Sequence, residues 1–164
     1  MKAPFLLAWL IVGCPLLAQD APSFALPTDR LLSQPGPTFT IAGRQLPSSL
    51  KIITYGDQRF TDPANTRQTN PLIRQWLVKE IASEKAAALI MNGDVPLAGD
   101  VANDYAVFQS ETKPWRDQHL RVFPTLGNHE WRDPDPPHAL NNWWNAFPEL
   151  RNRRWYSAQI GSRI

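Results

Sequence analysis

The stretch "PTLGNHEW", Pro124 to Trp131, breaks an apolar, β-forming run with a glycine, then sets an amide, an imidazole and a carboxylate side by side before returning to tryptophan. A strand that ends at Gly127 and hands over to Asn128, His129 and Glu130 puts reactive groups where a buried strand leaves its sheet. Two runs upstream end in a related way. "LKIITYGD", Leu50 to Asp57, is a continuous β-branched run closing on Gly56-Asp57, and "AAALIMNGDV" closes on Gly93-Asp94 before Val95.

Between these runs the apolar period changes. Asn70 is an N-cap with Pro71 in the first helical position, and Ile73, Trp76, Leu77 and Ile81 are expected to face the core, with Arg74, Lys79 and Glu84 turned away. A second helix is expected from about Asn103 to Thr112, with Tyr105, Phe108 and Thr112 at helical spacing and Pro114 closing it. Further on, "HALNNWWNAF" reads as a short amphipathic helix and "RWYSAQIGSRI" as a fourth strand. Strand, helix, strand, helix, strand predicts crossover units and a largely parallel α/β sheet. In such sheets the loops leaving the strands converge on one edge, so Asp57, Asp94 and the Asn128-His129-Glu130 group are expected together.

The 164 residues are 43% hydrophobic, enough for the core of one domain. Seventeen basic and fifteen acidic side chains leave a formal charge of +2, evenly scattered, which carries no electrostatic footprint for a nucleic-acid partner. Lys2 followed by "APFLLAWLIVG" is a basic start and an apolar run too short to span a bilayer, the pattern of an export signal over residues 1–18. Two processing routes compete: cleavage after Ala18, or lipid attachment at Cys14, where "IVGC" resembles a bacterial lipobox. The expected location is therefore periplasmic or secreted, with a membrane anchor only through a lipidated Cys14. Cys14 is the sole cysteine, so neither route leaves a disulfide. Residues 19–49 form a proline-rich lead-in containing one strand-like stretch, "TFTIAG", and the domain proper is expected over 50–164.

Two carboxylates and an amide gathered by parallel strands make an oxygen-rich cluster that repels itself without a cation. Asp57 and Asp94 as oxygen ligands, with the Asn128 carbonyl beside them, suit a divalent metal. A lone Gly-Asp after a strand is most often a turn, and a lone "GNHE" can cap a following helix. Three such endings, one crossover apart, are harder to read as turns.

Gly56-Asp57, Asn92-Gly93-Asp94 and Gly127-Asn128-His129-Glu130 together resemble the first three signature blocks of the calcineurin-like metallophosphoesterase superfamily, from about Leu50 to the end of the chain. The resemblance implies a layered α/β sandwich, its sheets flanked by helices, and hydrolysis of phosphate mono- or diesters at a pair of zinc, manganese or iron ions. It implies that Asp94 bridges the metals, that Asp57 binds one and Asn128 the other, and that His129 contacts a small phosphate ester or nucleotide. Such cations, about 3.5 to 4 Å apart, hold attacking and leaving oxygens in line. Glu130 is expected to orient its neighbours.

The chain departs from the pattern at two places. Where the family's first block has a histidine, this sequence has Arg59, which has no lone pair for a metal. Arg59 then reads either as a partner of substrate phosphate or as one half of a surface pair with a carboxylate such as Asp62. Purple acid phosphatases carry a tyrosine at the position of Leu97, so their iron(III) chemistry is not expected. The family's later histidines have no counterpart, since His119 and His138 lack the motif context, and the sequence is expected to be the amino-terminal part of a longer protein. In that case it alone would expose a sheet edge and hold metal poorly. The competing reading is a binding module without hydrolysis, an α/β domain that uses the same acidic cleft to capture a metal or ligand.

Overall fold

Five short strands and four α-helices carry the architecture of the computed structural model, which describes residues 37–131 and 136–162. These belong to one unit, Gly36–Ile164. The export signal with Ala18 and Cys14, and the lead-in through residue 36, lie outside the described residues. No helix among the described residues is long and apolar enough to cross a membrane.

The strands are β1 (Phe39–Ile41), β2 (Ile52–Tyr55), β3 (Ala88–Met91), β4 (Arg121–Pro124) and β5 (Ala158–Ile160). β2, β3 and β4 form a three-stranded sheet in that order, parallel throughout, with Tyr55 beside Met91 and Met91 beside Pro124. Because the strands end in register, the Gly-Asp and Gly-Asn-His-Glu endings all leave the same edge. The strand expected in the lead-in is β1. It pairs in parallel with β5, Ile41 beside Ile160, and the two make a second sheet.

α1 (Pro71–Ser83) connects β2 to β3, and α2 (Ala102–Glu111) with the short α3 (Lys113–Asp117) connects β3 to β4. α4 (Pro136–Ala146) follows the last ending. Along β3 the side chains alternate between two cores, as a strand buried on both faces requires. Leu89 and Met91 join Phe60, Val78, Phe108, Trp115 and Trp143 among the helices. Ala88 packs with Ile41 and Ile160 of the second sheet. The result is a layered α/β arrangement of parallel sheets flanked by helices.

Asn70 caps α1 as expected, its side chain accepting from the Ile73 N–H. The buried face of that helix differs from the expected one. Ile73 and Trp76 are more than half exposed, whereas Arg74 is only 3% exposed and shares the buried face with Pro71, Val78 and Ile81. The reason is a buried charge pair: Arg74 Nε and one Nη donate to Glu111 Oε2 and Oε1, each at 2.8 Å, a bidentate bond across to α2. The guanidinium also donates to the Thr61 carbonyl and lies 5.1 Å over the Phe60 ring. Satisfying the arginine outweighs burying two apolar side chains, because hydrophobic periodicity has no term for a paired cation. Pro114 differs too: the α2 helix ends at Glu111 with Thr112 as its C-cap, whose hydroxyl donates to the Phe108 carbonyl, and Pro114 stands in the first turn of α3.

Removing this cation should be costly and removing the exposed tryptophan should not. Arg74→Ala is expected to lower stability by about 3 kcal/mol, because the largely buried Glu111 carboxylate loses its counter-ion. Trp76→Gln should stay within about 0.5 kcal/mol of the parent. Urea denaturation of the two variants checks the assignment of the buried face, and a larger loss for Trp76→Gln would reverse it.

Candidate functional site

Beyond β2 and β3 the chain turns sharply. Gly93 has φ 78° and Asp94 follows at 55°, while Asp57 has 54° and Arg59 47°, all in the left-handed region. Aspartate enters that region with modest cost, but an arginine there is unusual. Such backbone persists where the surroundings over-determine it. Here the surroundings are a zipper of main-chain bonds between the loops after β2 and β3. The Asp57 N–H donates to the Gly93 carbonyl, Arg59 N–H to Asp94 O at 2.9 Å, and Phe60 N–H to Val95 O at 2.7 Å.

Glu130 ties the loop after β4 to the loop after β3. Fully buried, its carboxylate accepts from the N–H groups of Asp94 (3.0 Å), Val95 (2.8 Å) and Gly127 (2.7 Å). Burial pushes its carboxyl above the ordinary value of 4.5, against the lowering pull of those donors. The expectation that Glu130 orients its neighbours now has a geometry. The glycines permit the approach: a Cβ on Gly127 would lie 2.3 Å from Asp94 Oδ1 and 2.6 Å from the Asp94 nitrogen.

Asp94 is thereby fixed at the centre. Its Oδ1 accepts from the His129 N–H at 3.0 Å, and its Oδ2 lies 3.8 Å from His129 Nε2 and 3.6 Å from one Arg59 Nη. The same Arg59 nitrogen donates to Asp57 Oδ1 at 3.2 Å. Arg59 therefore bridges two aspartates of the cluster, and the surface pair with Asp62 is not formed: the Asp62 carboxylate accepts instead from the Ala64 N–H. His129 is only 2% exposed. Its Nδ1 bonds to the Leu97 carbonyl, which can only accept, so that nitrogen carries the proton and Nε2 faces Asp94.

The structure thus brings Asp57, Arg59, Asp94 and His129 together, and places Asn128 exposed at the start of the same turn. Asp57 is the accessible carboxylate, with 76% of its side chain exposed against 9% for Asp94. Among the described residues no group of three or more His, Cys, Asp or Glu is arranged to hold a metal. The oxygen donors present are two carboxylates and an amide. These suit a hard divalent cation in chemistry but leave much of its shell to water or substrate.

Three supporting residues were not among the expected ones. Asn142 donates to the carbonyls of Gly99 and Asp100, Asp104 accepts from the Ala98 N–H, and the Gly99 N–H donates to the His129 carbonyl at 3.0 Å. Together they brace the loop that wraps the histidine. The basic run "RNRR" is exposed, and its Arg154 lies 5.0 Å over the ring of Trp131. Trp143 is fully buried in the helical core. A cleft of about 350 Å³, lined by Phe39, Ile41, Phe123 and Tyr156 among others, shares no residue with the strand-end group. No family model, no curated protein and no solved structure matches the chain.

Glu130→Ala should cost about 3 kcal/mol or more, because three N–H groups lose their acceptor and a cavity opens. The cost has a pH dependence with a definite sign. A carboxyl raised in the folded state binds its proton more tightly there, so its contribution is fullest in acid and declines as pH rises from the ordinary value of 4.5 through the raised one. Denaturation at several pH values is expected to show the wild-type advantage over Glu130→Ala shrinking from acid toward neutrality.

Proposed function

We propose that this protein is a metal-dependent phosphoesterase of the calcineurin-like kind, acting on a phosphate mono- or diester outside the cytoplasm. The observation that carries the reading is the meeting, at one edge of a parallel sheet, of Asp57, Asp94 and the Gly127–Glu130 turn, with Asp94 locked by both neighbouring loops. Ligands of open α/β sheets bind at that edge, where the strands end. The basic, then apolar start of the sequence supports export.

In this reading Asp57, Asp94 and Asn128 hold divalent metal: zinc, manganese or iron. Bound metal supplies Lewis-acid stabilisation of charge on the phosphoryl oxygens. The chain's own groups do the rest. Asp94, gripped through Oδ1 and its own N–H, keeps a fixed position for Oδ2. His129, held at Nδ1 by the Leu97 carbonyl with Nε2 toward the same carboxylate, is the residue assigned in this reading to the phosphate ester, and a protonated Nε2 would give its proton to the departing oxygen. A binding module without hydrolysis is the second reading. The bridging Arg59 favours it, since the aspartates already have a cation.

Hydrolysis of p-nitrophenyl phosphate and bis(p-nitrophenyl) phosphate, with manganese or zinc and after chelation, separates the two. Metal-dependent turnover is expected, abolished in Asp94→Ala and reduced about 10²- to 10⁴-fold in His129→Ala. Folded protein that binds metal without hydrolysing either ester would leave the binding module.

A further inference from the structure

Asp57 and Asp94 stand on neighbouring loops, and the group between their carboxylates belongs to this chain. One Arg59 Nη lies 3.2 Å from Asp57 Oδ1 and 3.6 Å from Asp94 Oδ2. A single nitrogen facing an oxygen of each acid occupies the place a cation takes between two carboxylates.

The backbone holds it there. Arg59 adopts φ 47°, which an arginine avoids, and its N–H donates to the carbonyl of Asp94, one of the acids that its side chain neutralises. Phe60, next in sequence, is fully buried and bonded to Val95, so the register of the loop cannot slip. The buried Nε–H of Arg59 has no acceptor among the described residues, so the guanidinium reaches the aspartates at the expense of a hydrogen bond. A flexible surface arginine meeting acids by chance would show none of these constraints.

We infer that Arg59 is the resident counter-ion of the Asp57–Asp94 pair and that a divalent cation enters between these carboxylates only by displacing its guanidinium. The inference rests on the metal-dependent reading above and deepens it. Guanidinium and metal exclude each other, because the guanidinium has no lone pair to join the metal's shell and repels it by charge. The position is nonetheless exchangeable: 40% of the Arg59 side chain is exposed, and an ion pair so open to water is weak. Arg59 thus sets how readily the site loads, and it stabilises the pair when metal is scarce.

The test is a manganese titration of the full chain, following free Mn²⁺ by electron paramagnetic resonance, for wild type, Arg59→Gln and Arg59→His. Arg59→Gln should bind Mn²⁺ about five- to tenfold more tightly than wild type, the scale of one partly exposed charge pair. Arg59→His should gain at least as much, since an imidazole removes the fixed charge and can also ligate. Adding Asp94→Asn to either variant should cancel the gain, and without metal both variants should melt below wild type and recover with Mn²⁺. If either folded variant binds Mn²⁺ no better than wild type, the counter-ion role is overturned while the metal-dependent reading stands. If no form binds Mn²⁺, both are overturned.

Discussion

One buried carboxylate organises this edge of the sheet. Glu130 accepts from Asp94, Val95 and Gly127, and so joins the turn after β4 to the turn after β3. Backbone N–H groups buried without acceptors are costly. The glutamate supplies an acceptor to both turns at once. Asp94 is then presented with its Oδ1 committed to His129 and its Oδ2 turned toward Arg59. Glu130 therefore fixes the strand-end side chains through the backbone beneath them.

The rest of the fold serves the same edge. Parallel pairing in register aligns the strand ends, and burial of both faces of β3 keeps them from shifting. Arg74 and Glu111 lock the first two helices together, and the same guanidinium reaches the carbonyl of Thr61 in the loop that carries Asp57 and Arg59. Asn142 ties the last helix to the loop around His129. The electrostatic pattern is graded: the Arg74–Glu111 pair is short and nearly buried, whereas the contacts of Arg59 with Asp57 and Asp94 are long and partly exposed.

Much of this was legible in the sequence, and the limits have physical causes. The apolar runs before Gly56, Gly93 and Gly127 located the strands of the central sheet to within a few residues, because an apolar run interrupted by glycine leaves few other folds open. The Asn70 cap was legible for the same local reason. The face of α1 was not, since the pairing of Arg74 depends on Glu111, which lies in another helix. Which carboxylate Arg59 meets was not legible either: Asp62, near in sequence, competes poorly with Asp57 and Asp94, which the left-handed turns bring closer. Asn142 gave no signal at all, because an asparagine that braces a distant loop looks like any polar residue of an amphipathic helix.

If the strand ends form a cation site for phosphoryl chemistry, with Arg59 as the group that yields, anomalous diffraction from crystals soaked in manganese and inorganic phosphate should reveal it. A manganese peak is expected against Asp94 and Asp57, with the Arg59 guanidinium turned off the aspartates. Manganese absent from that edge in soaked, well-ordered crystals, with Arg59 still bridging Asp57 and Asp94, would contradict it.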